Sequence, residues 1–254
     1  MSAHAYSPEF YDYISGGSRA SARAVTALLG AEMAVDSVLD VGGGNGVWCR
    51  EWLRRGVATV LSVDGDYVRT DQLVIAPELH RAHDLATPID LGRQFDLVQS
   101  LEVAEHIEPD CAAVFIGNLV GHGDVVMFSA AVPNQGGEYH LNEQPHDYWR
   151  GLFAHHGYEP YDWLRPALAG DRSVKPWYRY NSFLYANAAG AARLSAAVRE
   201  SRVAPGVPLA SAGDWRWALR RATVSIIPAD LVKTIAMAKA AAEVRLKTSG
   251  KSNP

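Results

Sequence analysis

Two cysteines in 254 residues, Cys49 and Cys111, leave no disulfide framework and no Cys-x-x-Cys pair, so a reduced, cytoplasmic setting is expected. Apolar runs of membrane-spanning length are missing, and the N-terminus lacks the apolar core of a secretory leader. Internal repeats and low-complexity stretches are missing too. A strong net charge is also absent: the total is −4, which excludes a chain that is a polyanion binder throughout. What is present is a 48% hydrophobic fraction, enough for a full core and contrary to disorder. The charge is uneven. From Ala189 onward there are eleven Lys/Arg against four Asp/Glu, while the remainder carries −11. The last segment therefore reads as a basic helical piece docked on an acidic body, or as a surface for an anionic partner or a membrane.

The stretch Val38-Leu39-Asp40-Val41-Gly42-Gly43-Gly44-Asn45-Gly46 organises the chain. Apolar β-formers with no polar alternation predict a strand buried on both faces, at about 37–41. The glycines predict a tight turn that lets backbone approach a ligand. Val47 to Arg55 can form a helix, and Gly56 stands where it should stop. Strand, glycine turn and helix open a nucleotide-binding α/β unit. The dinucleotide fingerprint needs a third glycine where this chain has Val47. The spacing is instead Asp40-x-Gly42-x-Gly44-x-Gly46, with an acid that disfavours pyrophosphate and suits a ligand bearing a cationic amine.

Further strands are predicted at Thr59–Val63 ending on Asp64, around Leu79, at Phe95–Ser100, at Asp124–Ala130, at Tyr158–Leu164 and at Tyr178–Ala186. Helices are predicted at Ser18–Leu29 and His146–His155, with a charged, proline-bounded insertion at 166–177. The polar stretch 133–145 reads as a long functional loop, with residues 134–144 mobile until an acceptor binds. The C-terminal region reads as helical, with an apolar stripe at Leu231, Ile235, Ala238 and Ala242.

The glycine motif resembles motif I of the class I S-adenosylmethionine (SAM)-dependent methyltransferases. Phe95-Asp96-Leu97-Val98-Gln99-Ser100 followed by Leu101-Glu102-Val103-Ala104-Glu105-His106 resembles the subgroup of ubiquinone-pathway O-methyltransferases. The resemblance covers roughly residues 35–187. It implies a Rossmann-like α/β fold with a seven-stranded, mostly parallel sheet, a reversed last strand and helices on both faces. N-terminal cap helices are expected at 1–34, and the segment at 188–254, which the resemblance does not cover, is expected from its own charge and periodicity to be a basic helical addition. For SAM the resemblance implies Asp40, Gly42, Gly44 and Gly46 at the motif, and Asp64 on the ribose hydroxyls. Asp84 and Leu85 would meet the adenine, with Ser100 and Leu101 at the end of the fourth strand. An N-terminal helix that covers the cofactor is part of the same pattern.

The expected reaction is methyl transfer to a small-molecule acceptor, at a hydroxyl or carboxyl oxygen, in specialised metabolism. His140 and His106 are the candidate bases, since imidazole suits proton removal near neutral pH. Tyr11, Tyr139 and Tyr148 are candidate acceptor contacts. A second reading puts Glu102, Glu105 and His106 on one face of a helical turn, with His140 from the loop, as a divalent-metal set. That set resembles the metal motif of small-RNA 2′-O-methyltransferases. Their second histidine is here Ile107, so the metal-free reading is preferred. A nucleic-acid acceptor is not expected, although an RNA or nucleotide-sugar methyltransferase using the basic segment is the alternative, beside a non-catalytic SAM-binding protein. The C-terminal segment is also the candidate surface for a homodimer. No Asn/Asp-Pro-Pro-Tyr follows the fourth strand and no Pro-Cys nucleophile is present, which disfavours adenine- or glutamine-amide methylation and cytosine-carbon methylation.

Overall fold

The structure is a computed structural model describing residues 8–228 together with 231, 232, 234, 235 and 238; for 8–17 it describes the backbone alone. Seven strands form one sheet: Ser37–Val41 (β1), Thr59–Asp64 (β2), His80–Ala82 (β3), Leu97–Leu101 (β4), Val125–Ser129 (β5), Glu159–Tyr161 (β6) and Phe183–Ala186 (β7). Their order is β3-β2-β1-β4-β5-β7-β6. Strands β3 to β5 are joined by parallel pairings, and β7 alone runs antiparallel, to both β5 and β6. The helices are Pro8–Glu32 (α1), Val47–Arg54 (α2), Ala112–Val120 (α3), His146–Ala154 (α4), Leu164–Leu168 (α5), Pro176–Asn181 (α6), Ala188–Arg193 (α7), Ala196–Glu200 (α8) and Trp215–Ser225 (α9).

Alternate residues of β1, β2, β4, β5 and β7 feed two cores. On one face Val38, Val60, Leu97 and Met127 pack against Ala22, Val25 and Leu29 of α1 and Trp48 and Trp52 of α2. On the other, Leu39, Val63, Val98, Val126 and Phe128 pack against Phe115, Ile116 and Leu119 of α3 and Trp149 and Phe153 of α4. Both faces are dry, which is why β1 reads as an unbroken apolar run.

Three expectations are corrected. The first helix begins at Pro8 rather than Ser18 and runs across Gly16 and Gly17; its docking is fixed by Ser18 Oγ to Tyr178 OH (3.1 Å) and by Ser21 Oγ, which accepts from the Lys175 N–H (3.0 Å). Tyr178–Asn181 is helical, not strand, because Pro176 starts a helix at its first turn. The insertion at 166–177 holds most of α5 and the start of α6. Beyond β7, Leu194, Val198 and Leu209 are buried in the same two cores. This part of the C-terminal segment is therefore built into the domain. Ala242 of the expected stripe lies outside the described residues.

Candidate active site

The carboxyl ends of β1, β2 and β4 and the segment after β5 meet at one edge of the sheet, where open α/β folds hold ligands. At the end of β1 the chain turns through Gly42, Gly44 and Gly46, with φ of 82°, 53° and 82°. Only glycine adopts that series without cost. A Cβ at Gly42 would also drive into Val103, and one at Gly46 into Ile75.

Asp64, at the end of β2, is 4% exposed. Its Oδ2 accepts the Gly44 N–H (2.7 Å), and its Oδ1 accepts the Gly65 N–H (2.7 Å) and the Tyr67 hydroxyl (2.5 Å). Burial raises its pKa, and those three bonds pull against the rise. Asp40 lies beneath the glycine turn, close to Cys49 Sγ (3.7 Å). Burial, opposed by the nearby Gln99 amide and reinforced by the charge of Asp64, pushes its carboxyl up to about 7. Gln99 Oε1 in turn accepts from Trp52 Nε1 (2.8 Å). Gln99 Nε2 and Ser100 Oγ are buried and have no hydrogen-bond partner among the described residues. Orphaned donors beside a glycine turn and an acid fit a polar nucleoside ligand at this edge.

The remaining cofactor candidates differ. Leu101 and Leu85 are buried in the first and second core respectively. Asp84 is exposed, and its Oδ1 caps its own turn by accepting the Ala86 N–H (3.0 Å).

The acceptor side is built by the end of β4 and the loop after β5. Glu102 is not on an α-helical turn: its φ is +58°, and Ala104–His106 is a single 3₁₀ turn. The expected three-residue face therefore does not form, and Glu102 turns toward other partners. Its Oε2 accepts from Gln135 Nε2 (2.7 Å) and its Oε1 from Asn181 Nδ2 (3.3 Å). The candidate metal ligands that do converge are Glu105, His106 and His140, with one ligand atom from each within 4.8 Å of the others. The two imidazoles meet edge to face with centroids 5.0 Å apart.

Protonation in this cluster follows from burial. Glu105 is 1% exposed, and burial together with the charge of Glu102 lifts its pKa well above the carboxylate range. Its Oε2 has no partner among the described residues. Burial and the charge of His140 lower His106 to about 4. His106 Nδ1 donates to the Tyr139 carbonyl (3.1 Å), which leaves the imidazole lone pair on Nε2. His140 Nδ1 bonds Glu143 Oε1 at 2.7 Å, the geometry of an imidazole oriented by a carboxylate. Burial pushes Glu143 up, but the bond and charge of His140 and the N–H groups of Gly136 and Asn134 outweigh it and hold Glu143 below its usual range.

Glu143 also fixes the loop, since its oxygens accept the N–H groups of Asn134 (2.9 Å) and Gly136 (2.8 Å). The Leu141 and Asn142 N–H groups bond the Glu105 carbonyl at 2.8 and 2.9 Å. From outside, Arg220 of α9 bonds the carbonyls of Gln135 (2.9 Å) and Gly136 (3.1 Å). The loop expected to be mobile is tied at both ends in this state. Tyr139 contributes its carbonyl here, whereas Tyr148 packs edge to face on Trp149 at 4.9 Å, on the second core. The Tyr11 side chain lies outside the described residues. Sequence reasoning missed Gln135, Asn181 and Glu143. Only Glu143 had a signal, its three-residue spacing from His140.

Among known proteins, a family model described as a methyltransferase domain matches residues 13–158. No curated protein matches by sequence. Among solved structures, DesVI of Streptomyces venezuelae is 14% identical with a TM-score of 0.53, over 70% of this chain and 95% of that one. The plantazolicin methyltransferase BpumL, solved with S-adenosylhomocysteine, is 11% identical with a TM-score of 0.50, over 70% of this chain and 87% of that one. At that identity the likeness speaks for the fold, and the family match carries the assignment. The chain belongs to the methyltransferase domain family and is a SAM-dependent methyltransferase.

Proposed function

We propose that the chain methylates a hydroxyl or carboxyl oxygen of a small molecule of specialised metabolism, with His140 as the base. The observation that carries this reading is the 2.7 Å pair between His140 Nδ1 and Glu143 Oε1, on the loop beside the cofactor edge. The carboxylate holds the proton on Nδ1 and presents the Nε2 lone pair. An acceptor O–H within reach would give its proton to that nitrogen as the oxygen takes the methyl group. Proximity in a dry cleft supplies much of the remaining rate. Asp64 is assigned to the ribose hydroxyls, with the glycine turn against the rest of the nucleoside. The small acceptor is in keeping with neighbours such as a plantazolicin methyltransferase, as that protein is titled.

The test is a panel of hydroxyl- and carboxyl-bearing small molecules, incubated with SAM and followed by S-adenosylhomocysteine release and product mass. Product methylated at oxygen, with His140→Ala lowering turnover about 100-fold or more at unchanged SAM affinity, is the expected result. Methylation confined to amine nitrogen would overturn the oxygen assignment.

A second reading rests on a separate observation, the buried Glu105 Oε2 without a partner beside two imidazoles. Glu105, His106 and His140 fit a divalent cation, which would supply Lewis-acid chemistry to an acceptor oxygen. Because Glu105 sits well above the carboxylate range, it must lose a proton to bind the ion. Mn²⁺ affinity measured by calorimetry should therefore rise with pH and disappear in Glu105→Gln. An affinity indifferent to both would remove the metal reading.

A further inference from the structure

Helix α9 has two faces with different tasks. Its inner face closes the active-site loop. Arg220 and Arg221 bond the carbonyls of Gln135, Gly136 and Pro133, and a Cβ on Gly136 would meet Val224 and Val232. Trp217, 6% exposed, packs on Tyr180 with ring centroids 5.7 Å apart. The outer face is apolar and uncovered among the described residues. Trp215, Leu219 and Ile226 are 69%, 58% and 81% exposed and follow one another at helical spacing. Leu231 and Ile235, one turn apart, are each 50% exposed. Of the nine exposed large hydrophobic residues described, these five fall within 215–235, so they are concentrated on α9 and the stretch that follows it rather than scattered along the chain.

We propose that this outer face docks on an anionic lipid bilayer. Charge selects the occupant. From Trp215 to the C-terminus the sequence has eight Lys/Arg and two Asp/Glu, whereas the preceding residues carry −10. An anionic surface repels the acidic body of the sequence and attracts its basic end, and of the described cations Arg216 stands beside the exposed Trp215. Arg216 lies over the Trp215 ring at 5.3 Å, pairing a cation with an amphipathic ring as interfacial helices do. Arg220 and Arg221 are committed to loop carbonyls, which leaves α9 a poor array for phosphodiester recognition. Large aliphatic groups face outward where a nucleic acid would need cations. Docking is reversible, because one short apolar stripe plus a few cations is far from an inserted helix.

The experiment is co-sedimentation of the full-length chain with vesicles, either phosphatidylcholine alone or phosphatidylcholine with phosphatidylglycerol in equal parts. Binding to the anionic vesicles only, released by high salt, is expected. Trp215→Ser with Leu219→Ser should lower partitioning about tenfold or more. Arg216→Glu should lower it about fivefold per unit of charge. Both variants should bind S-adenosylhomocysteine as the parent does, since their side chains face away from the loop; should the double variant not fold, Ile226→Ser replaces it. The proposal is overturned if the parent chain binds neither vesicle, or if the variants sediment like the parent. It is equally overturned if light scattering shows a dimer that the double variant dissolves without any vesicle binding, or if single-stranded RNA is retained while vesicles are not.

Discussion

The two oxygens of Asp64 already accept three hydrogen bonds in the folded chain, and a carboxylate has capacity for about four. Ribose hydroxyls would therefore complete a partly filled shell or displace the Tyr67 hydroxyl. Asp64→Ala should weaken SAM binding by roughly 1–3 kcal/mol in calorimetry, with unchanged affinity counting against the assignment. Asp40 has a different consequence. Burial first, aided by Asp64, holds its carboxyl at about 7 against an ordinary value of 3.8. Between those values the folded protein binds a proton that the unfolded chain has lost. The resulting stabilisation is fully present below the unfolded value and is lost as pH rises through about 7. Asp40→Asn should thus be more stable than the parent, without cofactor, by roughly 2–4 kcal/mol near pH 8. Urea unfolding at several pH values checks this; the gap should close toward pH 4.

The loop after β5 is the element on which the chemistry turns, and Glu143 is its keystone, joined to Asn134, Gly136 and His140. Glu143→Ala should speed amide exchange at Gly136 and lower stability by about 1.5–3 kcal/mol, while SAM affinity stays the same. Exchange unchanged at Gly136 would mean that the arginines of α9 hold the loop alone. The opposite wall is the single turn at Ala104–His106, entered through Glu102 at φ +58°. A non-glycine residue there is costly and is held by Gln135, Asn181 and Ser129, so the turn depends on three other parts of the chain.

At the scale of the whole molecule, α9 is a brace laid over a sheet that is complete without it. Its hydrogen bonds to the domain go to the loop carbonyls at 133–136, not to the glycine turn. A chain ending after Gly213 should keep SAM affinity within about threefold, since the cofactor edge is untouched, while exchange at 133–143 rises. Loss of SAM binding in that truncation would show that the brace supports the cofactor edge as well. Among the described residues no helix is long and apolar enough to cross a membrane.

The sequence by itself determined the sheet and its ligand edge. Apolar β-branched runs bounded by turn residues point to strands covered on both faces, and alternate glycines after β1 point to a left-handed turn, so β1, β2, β4, β5 and the place of Asp64 at the end of β2 are legible from spacing, whereas the equally apolar Ala112–Val120 winds into α3. The tertiary structure alone decided which polar residues meet. Gln135, Asn181 and Glu102 converge from 33 to 79 residues apart, and no local pattern records a contact of that range. It also denied the helical face expected at Glu102–His106, because an apolar-poor segment of five residues has no periodicity strong enough to resist the backbone that its neighbours impose. In the same way, Tyr178–Asn181 carries strand-forming residues yet winds into α6, where Pro176 at the start and the buried contact with Ser18 outweigh propensity.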